Sequence, residues 1–311
     1  MIFTIRTRQD RMLAAHPLLY IRYMRQLLVY AFAALLVPAC TVGSGGGGDD
    51  DVIGDDDDTN PDPDPSDGLS GHITANTEWS GTVTLAGKSS DGGSITIDPG
   101  VTVTVAAGTI LNFTPSSRLD VKGTLDINGT SAAKVTLQTE PGAAGIYNGG
   151  LNVYGTLTMD YAVQIGGGIH TYAGSTSTIS DTAMSKVSGD FLVMNGGNLS
   201  VTYSDLGSGT GDTTHCQMHF GGTGNTISVT KSNINTAPYG LMFYSGTNAI
   251  FTANNWEAGP TPNKDVDTMP GVSGDFSNGY FAAGPPVAGT GATITANNLS
   301  ATRLTDAGPR P

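Results

Sequence analysis

The middle of the chain carries short runs in which apolar and polar residues alternate, and each run closes on a glycine. Four of them follow one another between residues 160 and 256, at 169–174, 191–196, 216–221 and 241–246. Alternation with a period of two predicts β-strands, and glycine marks the tight turns between them. A β-rich pattern that returns after roughly 20 to 30 residues predicts a solenoid, whose coils bury their apolar faces by stacking on one another.

A second, polar marker repeats with a similar period. It is a pair of polar residues just beyond a strand-like run, and it occurs at Ser180-Asp181, Ser204-Asp205, Ser232-Asn233 and Asn254-Asn255. Successive pairs lie 24, 28 and 22 residues apart. This spacing predicts one coil for each repeat, with the polar pair near one corner of the coil.

The coils can be aligned on the glycine that closes each alternating run. One column of this alignment consists of Ile169, Phe191, Cys216 and Leu241. A second column consists of Thr171, Val193, Met218 and Phe243. Because side chains alternate across a strand whose one face is buried, both columns are predicted to face inward. Cys216 is accordingly predicted to be a small core residue.

Alternating segments also fill the first part of the body, which begins at His72. They are separated by Pro-Gly, Ala-Gly or Lys-Gly turns, as in Ile-Asp-Pro-Gly-Val-Thr-Val-Thr-Val-Ala-Ala-Gly-Thr at 97–109. Residues 77–109, 253–256 and 275–281 resemble coils of right-handed parallel β-helix proteins of pectin-lyase-like shape. The resemblance implies the fold and no single activity, because this fold carries lyases, hydrolases, adhesins and passive spacers.

We therefore predict an all-β protein whose body, residues 72–302, is a right-handed parallel β-helix. Within it, residues 257–291 are rich in Pro and Gly and are predicted to form an irregular coil or loop. The final residues, 303–311, are predicted to be a frayed tail.

The N-terminus is predicted to be an export signal. Residues 27–39 are uncharged and mostly apolar, and they follow Arg22 and Arg25. This order is typical of a secretory signal, and the apolar run is shorter than the roughly 20 residues that a membrane span requires. We assign residues 1–39 to the signal region, with Met24 as an alternative start.

The end of this region, Leu-Val-Pro-Ala-Cys at 36–40, resembles the processing site of bacterial lipoproteins. The resemblance implies cleavage before Cys40 and attachment of lipid to its thiol and new amino group. The predicted location is the outer membrane or cell surface, reached through the inner membrane. The alternative is an ordinary secretory signal that happens to precede a cysteine.

Residues 40–71 are predicted to be a disordered tether between the lipid and the folded body. Ten of the 27 acidic residues are aspartates between Asp49 and Asp67, alongside Gly and Pro. Such a segment repels itself and cannot build a core. It loosely resembles acidic calcium loops, but it lacks their ligand spacing. A net charge of −13 without a basic cluster argues against nucleic acid as a partner.

The outward columns of the solenoid are the predicted binding face. They carry aromatic, Met and His side chains, which an exterior strand face does not need for solubility: His170, Tyr172, Met194, Gln217, His219, Met242 and Tyr244. Such a ladder could lie against sugar rings or a protein partner. The alternatives are that a loop such as 257–291 covers the face, or that its apolar residues are exposed singly and without function.

Neither a metal nor a cofactor is predicted. His215 and His219 invite a metal hypothesis, but four strand positions separate them by about 13 Å. That distance is too long for two ligands of one ion, whose bonds measure about 2 Å.

An enzymatic alternative would use Asp181 and Asp205, which recur near one corner together with Asp160. Paired acids suit glycoside cleavage when their carboxyl groups lie about 5 to 10 Å apart. The acidic ladder continues into asparagines, however, so a turn-forming ladder is the favoured interpretation. A lyase would also need a nearby Arg or Lys, and the basic residues of the body are scattered. The favoured function is therefore non-catalytic adhesion, or binding of a glycan or a cell-surface protein, with polysaccharide lyase or glycoside hydrolase as the alternative.

Overall fold

The structure, a computed structural model, describes residues 68–87, 92–115, 117–139, 149–207, 215–222, 226–257, 259 and 265–311. The predicted signal region, Cys40 and nearly all of the predicted tether lie outside these residues. Every regular element in the described part is a β-strand. No helix there is long and apolar enough to cross a membrane.

The strands form three parallel sheets in the part of the chain that is described. The first sheet contains, in spatial order, β1 (Gly71–Ile73), β4 (Ser94–Ile97), β7 (Arg118–Val121), β10 (Gly150–Val153), β13 (Gly168–Thr171), β16 (Leu192–Met194), β19 (Cys216–Phe220), β22 (Tyr239–Phe243) and β25 (Val266–Thr268). The second contains β2 (Thr77–Trp79), β5 (Thr102–Val105), β8 (Thr124–Asn128), β11 (Thr156–Asp160), β14 (Thr176–Ser180), β17 (Asn198–Thr202), β20 (Thr226–Thr230), β23 (Ala249–Ile250), β26 (Ser273–Asp275) and β28 (Thr293–Thr295). The third contains β3 (Thr82–Leu85), β6 (Ile110–Phe113), β9 (Val135–Thr139), β12 (Ala162–Ile165), β15 (Ala183–Ser185), β18 (Asp205–Leu206), β21 (Asn233–Ile234), β24 (Asn255–Trp256) and β27 (Tyr280–Phe281).

The chain visits the three sheets in turn, so that three strands make one coil. After β10, β11 and β12, for example, β13 returns to pair with β10 in parallel. The predicted all-β parallel solenoid is confirmed. Short strands suffice because each strand inside a sheet is hydrogen-bonded to the coils above and below it, which satisfies its backbone groups.

The interior follows from the alternation along each strand. In β5, Val103 and Val105 are fully buried while the intervening threonines are partly exposed. The paired strand β8 repeats this arrangement with Leu125 and Ile127. Stacking apolar residues in register at about 4.8 Å gives each buried side chain neighbours above and below it.

The register of the first sheet differs from the predicted alignment. Ile169 lies beside Leu192, which lies beside Met218, and Met218 lies beside Leu241. The predicted column members Phe191 and Cys216 are buried, but they belong to other positions of their coils. The cause is the corner between the first and second sheets, because its length varies from coil to coil and the closing glycines are therefore not equivalent positions.

Aromatic rings fill the core toward the C-terminal coils. Phe251 stacks on Phe276 with ring centroids 4.7 Å apart, and it meets Phe243 edge-on at 5.4 Å. Trp256 stacks on Phe281 at 5.4 Å. The described residues from 265 onward supply β25, β26 and β27, so much of the segment predicted as an irregular coil or loop forms another coil of the solenoid.

A buried polar ladder follows the corner between the second and third sheets. The backbone N–H of Thr182 donates to Ser204 Oγ, that of Ser204 to Ser232 Oγ, and that of Ser232 to Asn254 Oδ1. The ladder therefore links turns of successive coils, as the favoured interpretation of the polar pairs requires. Asp181 lies two positions earlier in its coil than the predicted repeat implied, because Ser180 pairs with Thr202 rather than with Ser204, and Asp205 pairs with Ala183.

The C-terminal segment 303–311, predicted to fray, lies along this same corner. Leu304 N–H donates to Asn255 Oδ1 at 2.8 Å, and Gly308 N–H donates to the Lys231 carbonyl at 2.9 Å. Arg310 N–H donates to Asp181 Oδ1 at 2.9 Å. These contacts with three different coils order the segment, which the polar composition of the sequence did not reveal.

Candidate functional site

The outer face of the first sheet brings several predicted binding residues into one column. His170 lies beside Val193, and Val193 lies beside His219. His219 lies beside Met242, which lies beside Asp267. This register aligns His170 and His219 along the solenoid axis.

His170 is partly exposed at the centre of this face. Burial lowers its pKa, although the negative charge of Asp190 opposes the effect. The imidazole is consequently neutral at pH 7, with one donor and one acceptor nitrogen for hydrogen bonding.

Three of the predicted binding residues are buried instead of presented to solvent. Met194 has no exposed surface and lies inside the solenoid, because the register shift reverses its predicted orientation. Gln217 is also fully covered, and its Nε2 donates to the Asn235 carbonyl at 3.2 Å. Met242 points outward, but its neighbours leave only 8% of it exposed. These three residues do not form an accessible binding surface.

Tyrosines give this face its most prominent exposed feature. Tyr172 stacks on Tyr154 of the preceding coil, with ring centroids 4.4 Å apart and an interplanar angle of 14°. Val153 and Thr171 pair in register on adjacent coils. Tyr154 directly follows Val153 and Tyr172 directly follows Thr171, so the two tyrosines lie side by side. Tyr154 is 40% exposed. Partial burial, together with Tyr172, raises the pKa of Tyr154, so both a hydroxyl donor and an aromatic surface are available.

Tyr244 lies farther along the same face. Its hydroxyl donates to Asp267 Oδ2 at 3.0 Å, and its ring meets His219 edge-on at a centroid distance of 5.4 Å. Burial and the neighbouring Asp267 carboxylate raise its pKa, which keeps the hydroxyl protonated. Residues 244–247 and 270–272 line an open cavity of about 370 Å³ beside this ring.

Asp190 is the centre of a compact polar cluster at the edge of the face. Its Oδ1 lies 2.8 Å from His215 Nδ1 and accepts from Cys216 Sγ at 3.0 Å and Cys216 N–H at 3.2 Å. Its Oδ2 lies 3.0 Å from His219 Nδ1. Asp190 precedes β16, whereas the other three residues belong to the next coil, so the cluster joins two coils.

The surroundings fix the charge states of Asp190 and Cys216. Burial works to raise the pKa of Asp190, but hydrogen bonds from Cys216, His219 and His215 outweigh it and lower the pKa below its usual value. Asp190 is therefore ionised at neutral pH. Burial and the Asp190 charge raise the pKa of the Cys216 thiol far above its usual value, so the thiol retains its proton and donates to the carboxylate.

The same four residues are the metal-binding candidates of the described chain. One donor atom from each of Asp190, His215, Cys216 and His219 lies within 4.8 Å of all the others. The predicted separation of the two histidines was too large. Their ring centroids are 6.3 Å apart, because His215 lies in a bend before β19 and both rings turn toward Asp190.

Asp181, one of the two acids of the enzymatic alternative, is sealed beneath the C-terminal segment. Its side chain has no exposed surface, and the Arg310 guanidinium donates to it from Nε at 2.9 Å and from Nη2 at 2.5 Å. Burial would raise the pKa of Asp181, but the Arg310 hydrogen bonds and charge lower it below the usual value. A buried, ionised carboxylate of this kind cannot serve as a general acid for a substrate.

Asp205, the second acid, has a different environment. It accepts a 2.5 Å hydrogen bond from Asn233 Nδ2, and burial raises its pKa despite that bond. Asp205 pairs in register with Ala183 rather than with Asp181, so the two acids do not occupy equivalent positions in successive coils. The corner thus lacks the paired-acid ladder that the sequence suggested.

Two residues of the candidate site were not identified from the sequence, Tyr154 and Asp190. Tyr154 precedes a glycine, much as Tyr172 precedes Ala173-Gly174, and this similarity could have identified it. Asp190 has no counterpart in the repeats and gave no such signal. Its proximity to residues 215–219 depends on how the coils stack.

Comparison with known proteins supplies no further assignment. No protein-family model matches the chain, and no curated protein or solved structure matches it significantly. The parallel solenoid is observed in the structure, whereas a relationship to pectin-lyase-like proteins remains a prediction.

Proposed function

We propose that this protein is a non-catalytic, lipid-anchored surface protein that binds a glycan through the outer face of the first sheet. The lipid on Cys40 and the acidic tether would hold the solenoid away from the membrane. The observation that carries the binding proposal is the stacked Tyr154–Tyr172 pair, which is partly exposed on that face.

The chemistry of this face favours a polar ligand with apolar ring faces. Tyrosine combines an aromatic surface with a hydroxyl, and His170 adds a neutral donor and acceptor nearby. The large hydrophobic side chains exposed in the described chain are few and dispersed: Tyr154, Ile250, Met269 and Val287. A protein interface would centre on a contiguous, well-packed apolar patch. Sugars instead require aromatic contacts surrounded by hydrogen-bonding groups.

The arrangement along the axis also suits an extended ligand. Coils stack at about 4.8 Å, so Tyr154, Tyr172 and the later Tyr244 are displayed along one direction of the first sheet. A linear glycan could contact several coils at once, and weak contacts at successive sugars would add up.

The enzymatic alternative receives less support. A substrate would reach Asp181 only after the C-terminal segment had been displaced, because Arg310 occupies the space in front of its carboxylate. Arg310 is thus a basic residue beside the acid, as a lyase would need, but it is held in an ion pair with Asp181.

The binding proposal can be tested by screening the full chain on a glycan array, together with assays for new reducing ends and unsaturated products. A double variant, Tyr154→Ala with Tyr172→Ala, is expected to lose at least about 10-fold in affinity for any glycan bound, since each lost ring contact costs about 1 kcal/mol. Ile250→Ala, which alters an exposed side chain on the second sheet, is the matched control and should bind like the wild type.

Equal glycan binding by the double variant and the wild type would contradict the proposal that the tyrosine pair binds the glycan. Product formation that disappears in an Asp181→Ala, Asp205→Ala variant would establish the enzyme instead. The anchor is tested separately by mass spectrometry of the exported protein. A lipid-modified N-terminal Cys40, and release from membranes in Cys40→Ser, are expected, whereas an unmodified wild-type protein would contradict the anchor.

A further inference from the structure

We infer that Asp190, His215, Cys216 and His219 form a zinc-binding site that joins two adjacent coils of the solenoid. The four residues offer a carboxylate oxygen, two imidazole nitrogens and a sulfur, all within 4.8 Å of one another. This site is separate from the glycan proposal, because it rests on the Asp190 cluster and not on the tyrosine pair.

The donor set selects the class of metal. Zn²⁺ is bound in proteins by Cys, His and Asp or Glu, usually with four ligands in a tetrahedron. Calcium and magnesium prefer oxygen ligands and would gain little from a thiolate and two imidazoles. A borderline-soft divalent ion is therefore the occupant that matches all four donors.

The contacts around Asp190 are slightly shorter than the distances between ligands of a zinc site. Bonds of about 2.0 to 2.3 Å in a tetrahedron place donors about 3.3 to 3.8 Å apart. In the structure, Asp190 oxygens lie 2.8 Å from His215 Nδ1, 3.0 Å from Cys216 Sγ and 3.0 Å from His219 Nδ1. To admit the ion, these three Asp190 contacts would lengthen by roughly half an ångström. The remaining donor pairs lie within 4.8 Å of one another.

The surroundings allow an ion to enter while shielding the site. The side chains of His215 and His219 are 43% and 30% exposed, whereas Asp190 is 16% exposed and Cys216 is buried. An ion can thus approach from the histidine side and reach the sulfur and carboxylate beneath. Its binding would displace the thiol proton of Cys216 to solvent, and the ion would then be held by a thiolate, a carboxylate and two neutral imidazoles.

Four protein ligands would complete the tetrahedron, which is typical of a structural rather than a catalytic zinc. Asp190 comes from the coil of β16, and the other three ligands come from the coil of β19. The ion would therefore cross-link these coils at the edge of the outer face. Because a ligand that binds only the folded state stabilises it, zinc should raise the melting temperature.

A matched control occurs elsewhere in the same solenoid. His72 Nδ1 lies 2.7 Å from Asp98 Oδ1, which reproduces one histidine–aspartate contact of the cluster without its cysteine and second histidine. His72→Ala is therefore expected to leave zinc binding unchanged. Each variant also retains Cys40 and the aspartate-rich tether, so any metal bound there contributes equally to all of them.

The test uses the full chain, purified without a polyhistidine tag, with Zn²⁺ and Co²⁺ as probes. Competition against a chromophoric chelator should reveal one zinc equivalent that is present in the wild type and in His72→Ala. Co²⁺ should give a thiolate charge-transfer band and the intense d–d absorption of a tetrahedral site. Cys216→Ser should lose the charge-transfer band, and His219→Gln should weaken zinc binding by more than about 100-fold.

His219→Gln changes a partly exposed residue, so it provides a second measurement if Cys216→Ser does not fold. Circular dichroism and a melting curve should establish that each variant is folded. A wild type that binds no more zinc than Cys216→Ser and His219→Gln, and that gives no thiolate–cobalt band, would reduce the cluster to a hydrogen-bonded carboxylate and overturn the inference.

Discussion

Arg310 pairs with Asp181 across 129 positions of the chain, and the two side chains meet through two hydrogen bonds. The guanidinium also lies over the Tyr203 ring, 4.3 Å from its centroid. Arg310 is half exposed, whereas Asp181 is completely covered. The pair fastens the end of the chain to a corner of the solenoid and neutralises a buried carboxylate.

We expect Arg310→Ala to lower the melting temperature. The substitution leaves Asp181 ionised without its partner, and removing one member of a buried pair is more harmful than replacing both. The drop should be largely reversed in the double variant Arg310→Ala, Asp181→Asn, because an amide carries no charge into the buried corner. Differential scanning calorimetry measures both effects.

Arg303→Ala is the control for this experiment. Arg303 donates to Glu257 at 2.8 Å, but both side chains are accessible to solvent. Exposed ion pairs contribute little, so this variant should melt within about 2 °C of the wild type. If Arg310→Ala melts no lower than Arg303→Ala, the contact does not fasten the segment.

The stability supplied by the same pair should decline in acid. Arg310 lowers the folded-state pKa of Asp181 below its ordinary value of 3.8, so the unfolded chain binds a proton more readily than the folded chain. The contribution of the pair is therefore complete above pH 3.8 and is lost as pH falls through the lower folded-state pKa.

Other acids at this corner titrate in the opposite sense. Burial raises the pKa of Asp160 and of Asp205, and their protonation favours the folded state as pH falls. The measurement is therefore the difference in melting temperature between wild type and Asp181→Asn from pH 7 to pH 2. That difference should shrink below about pH 4, and one that stayed constant would rule out Asp181 as its source.

The corrected register of the first sheet predicts unequal costs for two adjacent residues. Met194 lies inside with no exposed surface, whereas Val193 faces outward and is partly exposed. Met194→Ala should cost about 2 to 5 kcal/mol through lost burial and a cavity. Val193→Ala should cost less than about 1 kcal/mol. Urea unfolding of both variants measures the difference, and the reverse order would restore the register predicted from the closing glycines.

The corner ladder shows why sequence repeats locate coils better than they align side chains. Ser204, Ser232 and Asn254 were correctly recognised as recurring turn residues, and their backbone contacts join successive coils. Asp181 resembles Asp205 in sequence, yet it lies two positions earlier in its coil, since Ser180 pairs with Thr202 and Ala183 pairs with Asp205. A shift of one or two residues is invisible in composition, but it decides which acid is sealed and which is not.

The sequence by itself determined the architecture of this protein. Alternation with a period of two and glycine turns specify strands that bury one face, and Ile169 and Leu241 do occupy one inward column. These are local properties of the chain, and stacking one coil on the next is enough to bury the apolar faces of the strands. Only the tertiary structure decided which distant groups meet, because corner lengths set the register between coils. It brings Asp190 to donors 25 to 29 residues farther along the chain, and it returns Arg310 to Asp181.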